Sequence, residues 1–284
     1  MLNALNDDQP SRIARRPPRS LKQEYQEFLL QRIEEYKNTL SREELLEIGD
    51  EAVRELEASS AGQYLLTEVL LLEHVDRIIA RRLRLPAFPR WRMKHRALRA
   101  AQREPMHWGL EPASPLVVYA RRLEPGDLVV VVGAAALPAA LFLAAYDAEV
   151  FLLDHDLGPI EAAESRAVME QLAGRFQALV ISFGGWLPDV APSLVVIDPA
   201  ALAPARAPDR SALVAELKAR TRPGGVHVVL PVPAASEVIP LGPEALQGEY
   251  GGWRVTRRRR AKAGAGFIAV KSERQLDTAA RVSE

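Results

Sequence analysis

The stretch that decides the fold reads Leu128-Val-Val-Val-Val-Gly133-Ala-Ala-Ala-Leu137-Pro138 and stays apolar as far as Tyr146. An unbroken run of β-branched residues is typical of a strand buried on both faces of a parallel sheet. The small residues after it allow a tight turn into a helix. The 19 uncharged residues could span a bilayer by length, but Gly133 and Pro138 interrupt them. We therefore predict a buried strand followed by a buried helix, and no membrane span.

The same alternation continues toward the C-terminus. Apolar runs predict further strands at 149–154, 176–182, 193–198 and 225–230, with helices at 160–173 and 209–220. The last two strand-like segments, 253–257 and 266–271, are joined by a basic turn that contains glycine, which indicates an antiparallel hairpin. The predicted fold class is α/β, with a Rossmann-like, mainly parallel sheet that ends in an antiparallel C-terminal hairpin.

The chain before this sheet has the periodicity of helices. Apolar residues recur at steps of three and four from Leu21, and Ser41 with Glu44 is a capping-box pattern that starts a second helix. A third helix is expected over 61–83 and a short basic helix over 91–102. We predict an all-helical domain over 21–115 and the sheet domain over 116–272. Tails complete the chain at 1–20, which we predict to be flexible, and at 273–284.

The composition of the chain limits which kinds of metal and catalytic site it can hold. The chain has 284 residues, a formal net charge of zero, no cysteine and five scattered histidines. Disulfides, thiolate metal sites and a cysteine nucleophile are thereby excluded, and we predict no metal site. The N-terminus lacks the basic start and apolar core of a secretory signal, so we expect a cytoplasmic protein.

Charge is distributed unevenly. Residues 24–76 hold 14 acidic and four basic residues, whereas residues 77–103 hold ten basic residues and no acid. Arginines interleaved with aromatic rings suit phosphate contacts and base stacking, so Arg90, Trp91, Arg92 and Arg96 are candidate nucleic-acid contacts. Alternatively, the basic segment pairs with the acidic helices, within one chain or across a homodimer formed through the helical domain. Whether the partner is a small molecule or a nucleic acid stays open.

The segment Met106-His107-Trp108-Gly109 lies just before the sheet domain. At that position His107 and Trp108 could belong to a lid over a substrate pocket. The competing interpretation places Trp108 in the core.

The first strand–helix turn and the end of the second strand together suggest a nucleotide site. Small residues at Gly133, Ala134, Ala135, Ala136 and Leu137 allow a ligand to approach the backbone, and Asp154 follows Gly133 by 21 residues. An acid at the end of the second strand is placed to accept hydrogen bonds from both ribose hydroxyls. The alternative is that Asp154 only caps a loop.

The order of elements resembles the class I S-adenosylmethionine-dependent methyltransferase superfamily. The likeness rests on Gly133, Asp154, the turn Arg222-Pro-Gly-Gly225 before the fifth strand and the terminal hairpin, and it covers about residues 116–272. It implies S-adenosylmethionine as cofactor, with residues 133–137 facing its methionine part and Asp154 its ribose. Phe183 or Trp186 would stack on adenine, and Asp198, followed by Pro199, would accept from a target amine and orient it.

Two alternatives accompany this resemblance. The turn holds one glycine where the superfamily usually has two or three, and no acid follows the third strand until Asp189, which would suit an inactive binding or scaffold protein. Separately, Gly133-x-x-x-Leu137-Pro138 and the pair Asp154 and Asp156 resemble nicotianamine synthase-like enzymes. Those enzymes transfer the aminobutyrate chain of the same cofactor.

Overall fold

The computed structural model describes residues 20–58, 68–231, 241–258 and 266–272. All but the last residue of the tail predicted at 1–20, the tail predicted at 273–284, the start of the third predicted helix and part of the basic hairpin turn, Arg259 and Arg260, lie outside these ranges. The chain divides into two compact units, a helical one over Pro18–Arg99 and a sheet unit from Ala100 onward. Within the described ranges, no helix is both long and apolar enough to cross a membrane.

The helical unit is built from α1 (Leu21–Lys37), α2 (Arg42–Ala58), α3 (Glu68–Arg82) and most of α4 (Phe88–Gln102). The predicted capping box of α2 is confirmed, because Ser41 Oγ accepts from Glu44 N at 3.2 Å and Glu44 Oε2 accepts from Ser41 N at 2.8 Å. Apolar side chains of α1, α2 and α3 form its core: Ile33, Ile48, Ala52, Val75, Ile78 and Ile79.

The sheet unit begins with α5 (Pro115–Ala120), a helix that the sequence did not indicate. Residues 100–115, assigned above to the helical domain, group with the sheet unit instead. The reason is packing: Trp108, Leu116 and Val117 are buried in the core on one face of the sheet.

In the described residues, helices follow the first, second, fourth and fifth of the seven strands, and the first three of these helices were predicted; the third strand connects to the fourth without a helix. Their bounds are β1 (Leu128–Val132), α6 (Leu137–Ala145), β2 (Glu149–Asp154), α7 (Leu157–Met169), β3 (Phe176–Val180), β4 (Leu194–Ile197), α8 (Ala207–Arg220), β5 (Val226–Val229), α9 (Pro243–Gln247), β6 (Arg254–Arg258) and β7 (Gly266–Val270). The strand order is β3-β2-β1-β4-β5-β7-β6, with β1 to β5 parallel and β7 antiparallel to both of its neighbours.

This order confirms the predicted fold class: an α/β, mainly parallel sheet that ends in an antiparallel C-terminal hairpin. Two apolar layers cover the sheet: α5, α6 and α7 contribute to one face, and α8 and α9 to the other. The strands β1 and β4 are buried on both faces, which explains their continuous apolar sequence.

Candidate functional site

The register of the sheet places three candidate residues side by side. Val132 of β1 pairs with Leu153 of β2 and with Ile197 of β4, so Gly133, Asp154 and Asp198 follow at one edge. The helix after β1 lies on one face of the sheet and the helix after β4 on the other. The sheet therefore has a topological switch point between the carboxyl ends of β1 and β4, and in open α/β sheets the crevice at such a point is where ligands bind.

Close packing explains why the turn holds a glycine at its first position. Gly133 has a φ of +102°, and a Cβ built there would lie 2.7 Å from the Cβ of Ala201 and 2.9 Å from that of Asp198. Only glycine adopts this conformation without strain and fits under Asp198. The alanines that follow form a single 3-10 turn at ordinary backbone angles, so the later glycines of the superfamily are not needed for the turn itself.

The rest of the turn divides between surface and core. Ala135 is exposed, and Ala134 and Leu137 are partly buried. Ala136 is 3% exposed and its side chain belongs to the core, so only its backbone could face a ligand.

Asp154 accepts hydrogen bonds from backbone N–H groups of the turn after β1 and of its own loop after β2. Its side chain is 8% exposed. Oδ2 accepts from Ala134 N at 2.6 Å, while Oδ1 accepts from His155 N at 2.6 Å and from Asp156 N at 3.1 Å. A carboxylate offers about four lone pairs, and one acceptor position of Oδ2 has no partner among the residues that the structure describes. Both interpretations of this residue therefore have a structural counterpart: Asp154 caps the turn and keeps one acceptor.

Asp198 is partly buried beside this carboxylate. Its Oδ1 accepts from Ala200 N at 3.0 Å. Burial raises the pKa of the Asp198 carboxyl above its ordinary value, the hydrogen bond from Ala200 opposes this, and the negative charge of Asp154 raises the pKa further. Two neighbouring carboxylates at the mouth of the crevice favour a ligand that carries positive charge.

His155 connects the crevice to the segment after β3. Its Nδ1 lies 3.0 Å from Asp154 Oδ1, and its ring centroid lies 5.4 Å from that of Phe183 at an angle of 49°. The sequence analysis treated His155 only as one of five scattered histidines. Its position directly after Asp154 could have indicated that it belongs to the candidate site. Phe183 is thus joined to the site through one ring, whereas Trp186 is 62% exposed.

Asp156 has a local role. Its Oδ1 accepts from Gly158 N at 3.0 Å, which caps the N-terminus of α7. Of the pair Asp154 and Asp156, the second therefore serves as the N-cap of α7.

Part of the predicted charge pairing in the helical unit is confirmed. Arg81 binds Glu55 at 2.6 Å, and Arg82 pairs with Glu51. Outside the basic segment, Lys37 Nζ lies 2.8 Å from Asp76 Oδ1. These contacts join α3 to the acidic helices α1 and α2.

The candidate nucleic-acid residues of α4 separate by burial. Arg90, Arg92 and Arg96 are exposed and have no acidic partner among the residues that the structure describes. Trp91 is 4% exposed, and its ring centroid lies 5.3 Å from that of Tyr25 and 4.5 Å from that of His95. Its predicted stacking on a base is wrong, because the indole is packed inside the helical unit.

His107 and Trp108 lie at the opposite edge of the sheet from Gly133. Trp108 is buried and donates from Nε1 to Gln102 O at 2.7 Å, and His107 Nε2 lies 3.8 Å from Glu170 Oε2 at the C-terminal end of α7. These two residues therefore do not form a lid over the crevice, and core packing accounts for Trp108.

Solved structures of other proteins are similar to part of this chain. The glycopeptide N-methyltransferase MtfA is 16% identical, with a TM-score of 0.45, over 57% of this chain and 97% of that chain. MtfA complexed with S-adenosyl-L-homocysteine gives 0.44 at 16% identity, over 58% and 90%. TehB from Haemophilus influenzae gives 0.44 at 13% identity, over 55% of this chain and 61% of that chain. No protein-family model and no curated protein sequence matches the chain. The strand order defines an α/β unit with a mainly parallel sheet that ends in an antiparallel hairpin, and a helical unit precedes it in the chain.

Proposed function

We propose that the protein is an S-adenosylmethionine-dependent transferase and that it transfers the methyl group. The observation that carries the proposal is the row of Gly133, Asp154 and Asp198 at the switch point between β1 and β4. Cofactors of this kind are bound by MtfA, which has been solved with S-adenosylmethionine and with sinefungin.

Each residue of the row has a distinct task. Gly133 lets the backbone approach the methionine part of the cofactor, beside Ala134, Ala135 and Leu137. The open acceptor on Asp154 Oδ2 takes one ribose hydroxyl, and the second hydroxyl requires Oδ1 to exchange one of its backbone partners. Phe183 contributes an aromatic surface for adenine, as Trp186 does if its loop closes.

Asp198 accepts from the group that receives the methyl and orients its lone pair toward the sulfonium carbon. The sulfonium is a reactive methyl donor, so positioning supplies much of the rate and no general base of unusual strength is needed. The two carboxylates also complement the positive charge of the sulfonium centre.

Calorimetric titration with S-adenosylmethionine and S-adenosylhomocysteine tests the binding step. We expect micromolar affinity in the wild type, and its loss in Asp154→Ala. The matched control is Asp189→Ala, which removes an exposed carboxylate from the loop after β3. Absence of heat up to millimolar ligand, with folding verified by circular dichroism, would contradict the proposal and favour the inactive binding protein.

Product analysis separates methyl transfer from aminobutyrate transfer. With S-adenosylmethionine and a pool of amine acceptors, methyl transfer releases S-adenosylhomocysteine. Transfer of the aminobutyrate chain, as in nicotianamine synthase-like enzymes, releases 5′-methylthioadenosine instead. Detection of the latter alone would replace the methyltransferase proposal with the aminobutyrate one.

A second candidate function, nucleic-acid binding, rests on α4. The helix carries five basic residues and no acid, and exposed Arg90, Arg92, Lys94 and Arg96 lie around much of its circumference. Such a surface suits the phosphate backbone of a single or double strand, without base stacking by Trp91.

Fluorescence anisotropy with a labelled 20-nucleotide RNA, measured across salt concentrations, tests this function. Replacing Arg90, Arg92 and Arg96 by Gln should lower the affinity and reduce the log–log salt slope by about 2, at about 0.7 per lost phosphate contact. Gln at three exposed arginines elsewhere serves as the control: Arg54, Arg121 and Arg206. Equal losses in both triple variants would show a non-specific charge effect and remove α4 as the binding surface.

A further inference from the structure

A groove of about 280 Å³ lies at the amino edge of the sheet, at the opposite end of the strands from Gly133. It is lined by residues that enter β1, β4, β5 and β6 and by the end of β7. Its volume is close to the lower end of the range of about 300–1,000 Å³ found for small-molecule pockets.

The floor of the groove is apolar. Leu123, Leu194, Val226 and Val270 line it, and the first and last of these pack against the core on the α5–α7 face of the sheet. A ligand seated here would therefore place an apolar body on this floor.

The rim carries positive charge. Arg122 and Arg254 line the groove, and both are exposed. Neither has an acidic partner among the residues that the structure describes. The Arg122 guanidinium carbon lies 5.7 Å from the centroid of the Tyr119 ring, which holds it at the rim.

The acidic residue of the groove is already engaged. Asp127 Oδ2 accepts from Glu124 N at 2.8 Å, and its Oδ1 lies 3.6 Å from Arg222 Nη1. With Asp127 balanced by Arg222, two arginine charges remain at the rim. Arginine presents a fork of donors that matches a carboxylate, sulfonate or phosphate.

We propose that this groove binds a small organic anion, with an apolar body on the floor and its acidic head between Arg122 and Arg254. The site is separate from the proposed cofactor crevice, since the two lie at opposite ends of the strands. The inference therefore does not depend on the proposed function.

The test uses 2-naphthoate, which combines an aromatic body with one carboxylate, in a saturation-transfer NMR titration of the full chain. We expect saturable binding, weakened about five- to tenfold by either Arg122→Gln or Arg254→Gln. Arg121→Gln, which removes an exposed neighbouring charge outside the groove, should leave the affinity unchanged. The neutral 2-naphthamide should bind more weakly than 2-naphthoate.

Three outcomes would overturn the proposal. They are no saturable binding to the folded wild type, equal affinity in the wild type and both groove variants, and equal affinity for 2-naphthamide. Displacement of 2-naphthoate by S-adenosylhomocysteine would also overturn it, because it would place the anion in the crevice at the other edge. Failure of S-adenosylhomocysteine to bind at all would contradict only the proposed function. Both arginines are exposed, so their variants should fold normally.

Discussion

Adding one methyl group to the turn after β1 should be unusually costly. In Gly133→Ala the new Cβ would lie 2.7 Å from the Cβ of Ala201 and 2.9 Å from the Cβ of Asp198. Both neighbours are fixed by their own backbone, so neither can rotate away. The backbone at residue 133 also has a φ of +102°, which an alanine adopts only with strain.

These two effects set the magnitude. Backbone strain of this kind costs about 1–3 kcal/mol, and overpacking costs about 1–3 kcal/mol. We therefore expect the free energy of unfolding of the sheet unit to fall by about 2–6 kcal/mol. Relief of the clash would also move Asp198 away from the crevice, so cofactor affinity should fall with stability.

Urea denaturation followed by tryptophan fluorescence and circular dichroism measures the change, with the two units analysed as separate transitions. The matched control is Gly248→Ala, where φ is −58° and no atom lies within 4 Å of the added Cβ. The control should be neutral or stabilise by up to about 1 kcal/mol. If Gly133→Ala changed the unfolding free energy by no more than the control did, the close packing of Gly133 under Asp198 would be refuted.

Three further predictions concern other buried groups. Trp91→Ala should destabilise the helical unit by about 3–5 kcal/mol, measured by urea denaturation, because it removes a buried aromatic side chain; an unchanged midpoint would contradict its burial. Burial lowers the pKa of His227 to about 3, so the folded form stays neutral while the unfolded chain takes up a proton as the pH falls below about 6.5. The free energy of unfolding of the wild type should therefore fall by about 2 kcal/mol between pH 7 and pH 5. His227→Phe should not show this loss. An equal loss in both proteins would refute the assignment to His227. Because burial and the charge of Asp154 raise the pKa of Asp198, its ionised form opposes folding above its unfolded pKa, and Asp198→Asn should raise the melting temperature at pH 7 but not at pH 3. A lower melting temperature at pH 7 would show that the carboxylate contributes more through hydrogen bonds than it costs through burial.

Much of the fold was predictable because its strands are buried on both faces. Continuous apolar runs located β1 to β5, and the basic turn located the hairpin of β6 and β7. The short helices α5 and α9 escaped prediction, since five or six residues give too little periodicity. The place of β7 between β5 and β6 was likewise not visible in the order of the segments alone.

The sequence predicted where the residues of the candidate site lie in the sheet, but not which hydrogen bonds they make. The spacing of Gly133 and Asp154 placed both at one sheet edge, but the N–H groups that Asp154 binds depend on the fold of two loops. Trp91 was misinterpreted because charge was weighed before periodicity. Phe88, Trp91 and His95 follow one another at steps of three and four, which is the pattern of a buried helix face.

The most direct test of the cofactor crevice is a crystal structure of the protein with S-adenosylhomocysteine. We predict density between the carboxyl ends of β1 and β4, with the ribose within hydrogen-bond distance of Asp154 and the amino-acid part over Gly133. Ligand density elsewhere on the sheet unit, with an empty crevice, would contradict it.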